Sequence, residues 1–202
     1  MRCLHVVQRY RPARGGSEKY FEEISERLAA DGHEVTVWTT DAIDIQHFWL
    51  PGKERIEVPR EEHRSVRIER FAVKRFPRHA QVLKVLGRLP GLGPKSVFSF
   101  PSPLVPGMLR RIGTKQRFDI VHATALPYDS ILYTAYAVAR RQGIPLVYSP
   151  FFHLGEQGAE DVRRFYTRPH QLKLVRSADR VLVQTSIESD FVRSFGCPTT
   201  GC

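Results

Sequence analysis

Cysteine is scarce in this chain: three occur in 202 residues, Cys3, Cys197 and Cys202, and none forms a Cys-x-x-Cys pair. That argues against a disulfide scaffold and a cysteine-ligated zinc site. The Cys197 to Cys202 spacing would close a small loop, but a reduced pair is expected in a reducing compartment. Long apolar runs are missing too, and none approaches the ~18 residues a bilayer span requires. The first apolar run is only a few residues long and leads into polar, basic Gln8 to Arg14, so no signal peptide is read. A cytoplasmic protein is the expectation.

Acid is the scarcer charge. Twenty-one Asp and Glu face 31 Lys and Arg, for a net charge of +10 and a pI of about 9.9. Such a surface attracts phosphorylated small molecules, nucleic acid or the acidic leaflet of a membrane. The basic residues are spread along the chain without a recognition helix, zinc finger or aromatic RNA platform, so no nucleic-acid partner is expected. No internal repeat or low-complexity segment is present. The 42% hydrophobic share suffices for a core, and the length suits one domain.

What is present alternates. Met1 to Val7 is a short buried strand, Ser17 opens a helix with Tyr20, Phe21, Ile24 and Leu28 at helical spacing, and His33 to Thr40 is a second strand. Asp41 to Glu62 has no clean period and reads as a long connection. Val66 to Phe71 alternates apolar and polar, as a strand near a sheet edge does. Helices are expected over 78–89, 103–112, 128–142 and 161–176, the last bent near Pro169. Further strands are expected over 118–123, 145–149 and 180–185, with Ser186 capping a last helix. Gly143 suits a left-handed C-cap. The tail from Gly196 shows no docking element. Strands preceding helices predict an open, doubly wound parallel α/β sheet, with ligands beyond the carboxyl ends of its strands.

Gly15 and Gly16 sit where the first strand hands over to a helix. Free N–H groups and the positive end of the helix dipole meet there, and the missing Cβ lets a phosphate or sugar approach. The pair is neither Gly-x-Gly-x-x-Gly nor a Walker loop, and taken alone it is a structural turn before it is a ligand site. Arg9, Arg11 and Arg14 flank it, suited to bidentate phosphate contacts or to a solvated basic loop. His33 reads as structural. Residues 78–89 form a basic amphipathic helix that either packs on the sheet, the favoured reading, or lies on an anionic membrane. No Ser-His-Asp arrangement or Gly-x-Ser-x-Gly elbow occurs. No His, Cys, Asp and Glu group has metal-ligand spacing, so no metal or other cofactor is expected.

Together, several segments resemble retaining glycosyltransferases of the GT-B fold, family 4. Arg14-Gly15-Gly16-Ser17-Glu18 and Gly32-His33-Glu34-Val35-Thr36-Val37 resemble the opening of that family's N-terminal, acceptor-binding domain. Phe118 to Ala123 is similar to its Asp-Val-Val-His strand, and Ile144 to Tyr148 with Phe152-His153 to its Pro-hydrophobic strand and loop histidine. Ala178 to Ser186 resembles the strand and turn before its interdomain crossing. The resemblance implies a Rossmann-like fold, half of a GT-B architecture, and transfer of a sugar from a nucleotide-sugar to an acceptor hydroxyl.

It further implies that His153 is the catalytic candidate holding the donor sugar, with Gly15, Gly16 and Arg14 on the donor phosphates. Glu156, His122 and Glu18 are the acceptor-binding candidates. From the residues alone, Glu156 is equally a solvated loop charge and His122 equally a satisfied core histidine. Residues 1–186 would form the N-terminal domain. Residues 187–202 would be the last helix and the start of the crossing toward a donor-binding domain, with its basic pair and Glu-x7-Glu motif, that this chain lacks. The half would then be inactive without that domain or a partner subunit, and acceptor choice would lie in residues 41–62 and 90–103. Partners would be a nucleotide-sugar, a sugar or lipid-linked acceptor, and the inner face of a membrane met peripherally. The rival reading is a non-catalytic basic module that binds anionic lipid or a phosphorylated ligand.

Overall fold

The computed structural model describes residues 1–76, 78–86, 101–124, 126–152, 154, 166–197 and 199–200. Its strands are β1 (Arg2–Val6), β2 (Glu34–Thr40), β3 (Arg60–His63), β4 (Val66–Phe71), β5 (Ile120–Ala123), β6 (Leu146–Tyr148), β7 (Arg180–Leu182) and β8 (Thr199–Thr200). The α-helices are α1 (Gly16–Ala30), α2 (His79–Leu86), α3 (Pro106–Arg111), α4 (Asp129–Gln142), α5 (Pro169–Arg176) and α6 (Ser186–Arg193). All strands join one sheet in the order β3-β4-β2-β1-β5-β6-β7-β8. Every neighbouring pair is parallel except β3 with β4.

Without β3 and β8, the parallel strands form the doubly wound order whose direction of winding reverses between β1 and β5. The side-chain period of two explains how one strand serves both layers. On β1, Cys3 packs under α1 with Val35, Val37, Val66 and Ile68, against Phe21, Tyr20, Ile24 and Leu28. Leu4 and Val6 face the opposite layer with Val121, Leu146 and the α4 residues Ile131, Leu132, Ala135 and Val138. A strand covered on both faces reads as a largely apolar run, and β1 departs from that with His5 buried among Cys3, Leu4 and Val6. Gly143, at φ +67°, takes the expected left-handed C-cap of α4.

Several expectations change. The connection over 41–62 is partly structured: Ile45–Phe48 is a 3-10 helix capped by Asp44, with His47 and Phe48 buried, and β3 closes a hairpin on β4. β4 lies one strand in from the edge, near it as expected. α5 begins at Pro169, where a missing N–H costs nothing, so the proline starts the helix rather than bending it; residues 161–165 lie outside the described residues. Thr185, not Ser186, caps α6, accepting the Glu188 N–H. The tail docks, because β8 extends the sheet beside β7. Val82 and Val85 of α2 are exposed, contrary to a helix packed by that stripe. Cys3 and Cys197 are buried free thiols. No helix among the described residues is long and apolar enough to cross a membrane.

Candidate functional site

The reversal between β1 and β5 opens a crevice beyond their carboxyl ends, where α/β sheets bind ligands. β1 sends its chain through Gln8, Arg9 and the basic loop into α1. β5 sends its chain through Thr124 and Tyr128 into α4. Thr124 N–H donates to the Val6 carbonyl at 3.2 Å, so the two exits lie side by side.

Glu18 organises the β1 exit. Its buried carboxylate accepts from Arg9 Nε at 3.0 Å, Gln8 Nε2 at 3.2 Å and Ser17 Oγ at 3.1 Å, and Arg9 Nη2 stands 2.9 Å away. Arg9 also donates to the Ile43 carbonyl at 2.9 Å. Arg11 is equally committed, reaching Glu22 at 3.3 Å and Glu61 at 2.9 Å. Glu61 in turn holds Arg70, whose side chain is 1% exposed, and the two guanidiniums keep its carboxyl below the usual range. Of the three loop arginines, Arg14 alone is exposed and without a partner among the described residues. A cavity of about 460 Å³ lies against it, lined by Arg11, Ala13, Arg14, Gly15, Lys19 and Glu22.

Gly15 is the N-cap of α1 and supplies no side-chain cap to the first helical N–H groups. Gly16 has open space where a Cβ would stand. The arrangement has the chemistry to receive an anion: backbone donors, a helix dipole and a guanidinium with no partner among the described residues. Gly15, Gly16 and Arg14 are thus brought together, whereas Glu18 is turned inward, its carboxylate occupied.

His122 does not stand in the crevice. It is buried on β5 under α1, with Nε2 2.8 Å from Ser149 Oγ and its ring 5.4 Å from His5 and 4.6 Å from Phe21. Burial holds it well below the ordinary histidine range, so it is neutral. His5 is pushed down to about 4 by the same cause. His153 and Glu156 lie outside the described residues. The loop leading to them is anchored: Phe151 takes φ +52° and meets the Tyr20 ring edge-to-face at 5.3 Å, while Phe152 N–H donates to Glu188 Oε1 at 3.0 Å. The other Glu188 oxygen accepts the Gln184 N–H at 2.7 Å. A left-handed non-glycine residue stores about 1–3 kcal/mol and persists only where its surroundings dictate it.

Sequence reasoning missed two features. Asp129 opens α4 fully buried, with Oδ2 2.9 Å from His170 Nε2 and 3.3 Å from Gln171 Nε2, while Oδ1 has no partner. Burial raises its pKa, against the pull of His170. The pair ties the first turns of α4 and α5 together on the crevice side, and its members are 41 residues apart, too far for any local pattern. Nearby, burial raises the Tyr128 phenol, with Arg9 opposing. The second is a grouping that linear spacing concealed: Glu22, Glu26 and His63 bring ligand-type atoms within 4.8 Å of one another. Both carboxylates there already pair with Arg11, Lys19 or Arg64.

The chain is similar to sucrose-phosphate synthase from Thermosynechococcus elongatus, at 15% identity and a TM-score of 0.56 over 99% of this chain and 47% of that one. It thus spans about half the length of that protein, and the likeness shows the shared fold. No curated protein sequence matches significantly. Residues 15–200 match the glycosyl transferase 4-like domain, and the chain belongs to that family.

Proposed function

We propose that this domain is the acceptor-side half of a retaining glycosyltransferase that moves a sugar from a nucleotide-sugar to an acceptor hydroxyl. The observation that carries the reading is the uncommitted Arg14 beside the open N-terminus of α1, at the point where the sheet reverses. Departure of the nucleoside diphosphate leaves negative charge on phosphate oxygens. Gly15 and Gly16 N–H groups and Arg14 are preset donors for that charge, so no solvent reorganisation is needed as it develops. No metal is assigned to the step. The remaining donor contacts belong to a second α/β domain, a reading supported by the 47% share of sucrose-phosphate synthase that this chain covers.

His153 follows Phe152 in the loop pinned by Glu188, and its role is to hold the donor sugar for attack at the anomeric carbon. Glu18 supports this arrangement by fixing Arg9. Glu156 orients the acceptor. His122 supports the sheet beneath α1 in place of touching the acceptor. The test is His153→Ala in the enzyme that contains this domain, with kcat and KM measured against the parent. A loss of about 100-fold or more in kcat is expected for removal of a group acting at the reacting centre. Activity within about threefold of the parent would overturn the assignment.

A further inference from the structure

At the opposite end of the strands, the loop between α3 and β5 and the end of α4 form an open cavity of about 620 Å³, lined by Gly113, Thr114, Lys115, Arg117, Arg141 and Gln142. It lies at the amino ends of the strands, away from the crevice, because Phe118 N–H donates to Gln142 Oε1 at 3.0 Å just before β5 begins. The volume falls in the range of roughly 300–1,000 Å³ that small-molecule sites occupy.

The charges in it share one sign. Lys115, Arg117 and Arg141 are exposed, and none has a partner among the described residues. Asp119, two residues from Arg117, is already taken by Arg2, with contacts of 2.7 Å from its N–H and 2.6 Å from its guanidinium. Thr114 Oγ1 accepts the Gln116 N–H at 3.1 Å, leaving its hydroxyl proton free to donate. Gln142 is spent internally, its amide donating to the Gln116 carbonyl at 2.9 Å. The cup therefore offers an ammonium, two guanidiniums and a hydroxyl, with no free acidic group. Helix-dipole complementarity accounts for Arg141 in the last turn of α4. It does not account for Lys115 or Arg117, which lie in a loop.

We propose that this cavity is a second anion site, which takes a phosphoryl group independently of the crevice. Guanidinium and ammonium groups held together without counter-charges are stabilised by a dianion, through charge-assisted bonds.

The test is a calorimetric titration of the chain with inorganic pyrophosphate. The variants are Lys115→Gln/Arg117→Gln/Arg141→Gln and, separately, Arg14→Gln. Loss of one binding event, or weakening of about tenfold or more, in the triple variant alone supports the site. Unchanged stoichiometry and affinity in a triple variant with parental circular dichroism overturns it. Arg14→Gln reports on the crevice instead, so failure of the transferase reading leaves this result standing. Sedimentation with phosphatidic-acid vesicles separates the sources. Binding lost in the triple variant assigns the phosphoryl group to a lipid headgroup. Absence of vesicle binding alongside pyrophosphate binding assigns it to a soluble phosphorylated ligand.

Discussion

The Glu18 carboxylate fills the space that a side chain on residue 15 would need: a Cβ on Gly15 would stand 2.2 Å from Glu18 Oε2 and 3.4 Å from Arg9 Nη2. The glycine and the buried ion pair are therefore one device. With the carboxylate held on Arg9, residue 15 has no room for a side chain.

Gly15→Ala displaces the carboxylate from Arg9, Gln8 and Ser17, and should destabilise the domain by about 1–3 kcal/mol. Gly16→Ala meets no atom within 4 Å at the first position of α1, so stability should stay level or rise by up to ~1 kcal/mol. If Gly16 nevertheless lines a phosphate site, its alanine variant loses affinity for a nucleoside diphosphate while folding normally. Paired urea unfolding and binding titrations read both effects. A Gly15→Ala protein as stable as the parent would show that Glu18 has room to move.

Glu188→Ala should free the loop after β6 from α6. The carboxylate satisfies the buried Phe152 N–H and the part-buried Gln184 N–H, from separate segments, and its removal should cost about 1–3 kcal/mol. Glu188→Gln keeps one acceptor oxygen and should cost roughly half as much. Hydrogen exchange localises the effect: the Phe152 amide should lose protection in both variants. Unaltered protection there would mean the clamp does not hold the loop.

Acid should destabilise the fold through its paired core histidines. Burial depresses His5 to about 4 and His122 well below the ordinary value, while the unfolded chain titrates both near 6.5. Between those values the unfolded state binds more protons, so stability is full above pH 6.5 and is lost as pH falls through the window. Each histidine contributes a slope of about 1.4 kcal/mol per pH unit. His5 alone amounts to about 3 kcal/mol by pH 4. Urea unfolding at intervals from pH 7.5 to 4.5 measures the slope, and His5→Gln should reduce it by its share. A parent slope of zero across that range would sink the account.

Much of the fold was legible because its signals are local. Apolar runs marked β1, β2 and β5, the Tyr20-Phe21-Ile24-Leu28 stripe marked α1, and Gly143 marked the end of α4. The glycine turn was legible as a strand-to-helix handover for the same reason. β3 escaped notice because Arg60-Glu61-Glu62-His63 is polar on both faces, and only its hairpin with β4 makes it a strand. β8 escaped notice because two threonines carry no period; pairing with β7 supplies the structure.

The sequence by itself determined the layered α/β architecture, the parallel sheet and the excess of positive charge, since hydrophobic periodicity and composition act over a few residues. The tertiary structure alone decided which charges are free. Arg9, Arg11 and Arg14 are alike in the sequence, and folding brings Glu18, Glu22 and Glu61 to the first two and leaves Arg14 open. It also decided that His122 is a neutral core residue and that Asp129 meets His170. Those outcomes depend on contacts between distant segments, and the burial and partners that set a charged group's chemistry exist only once the chain has closed on itself.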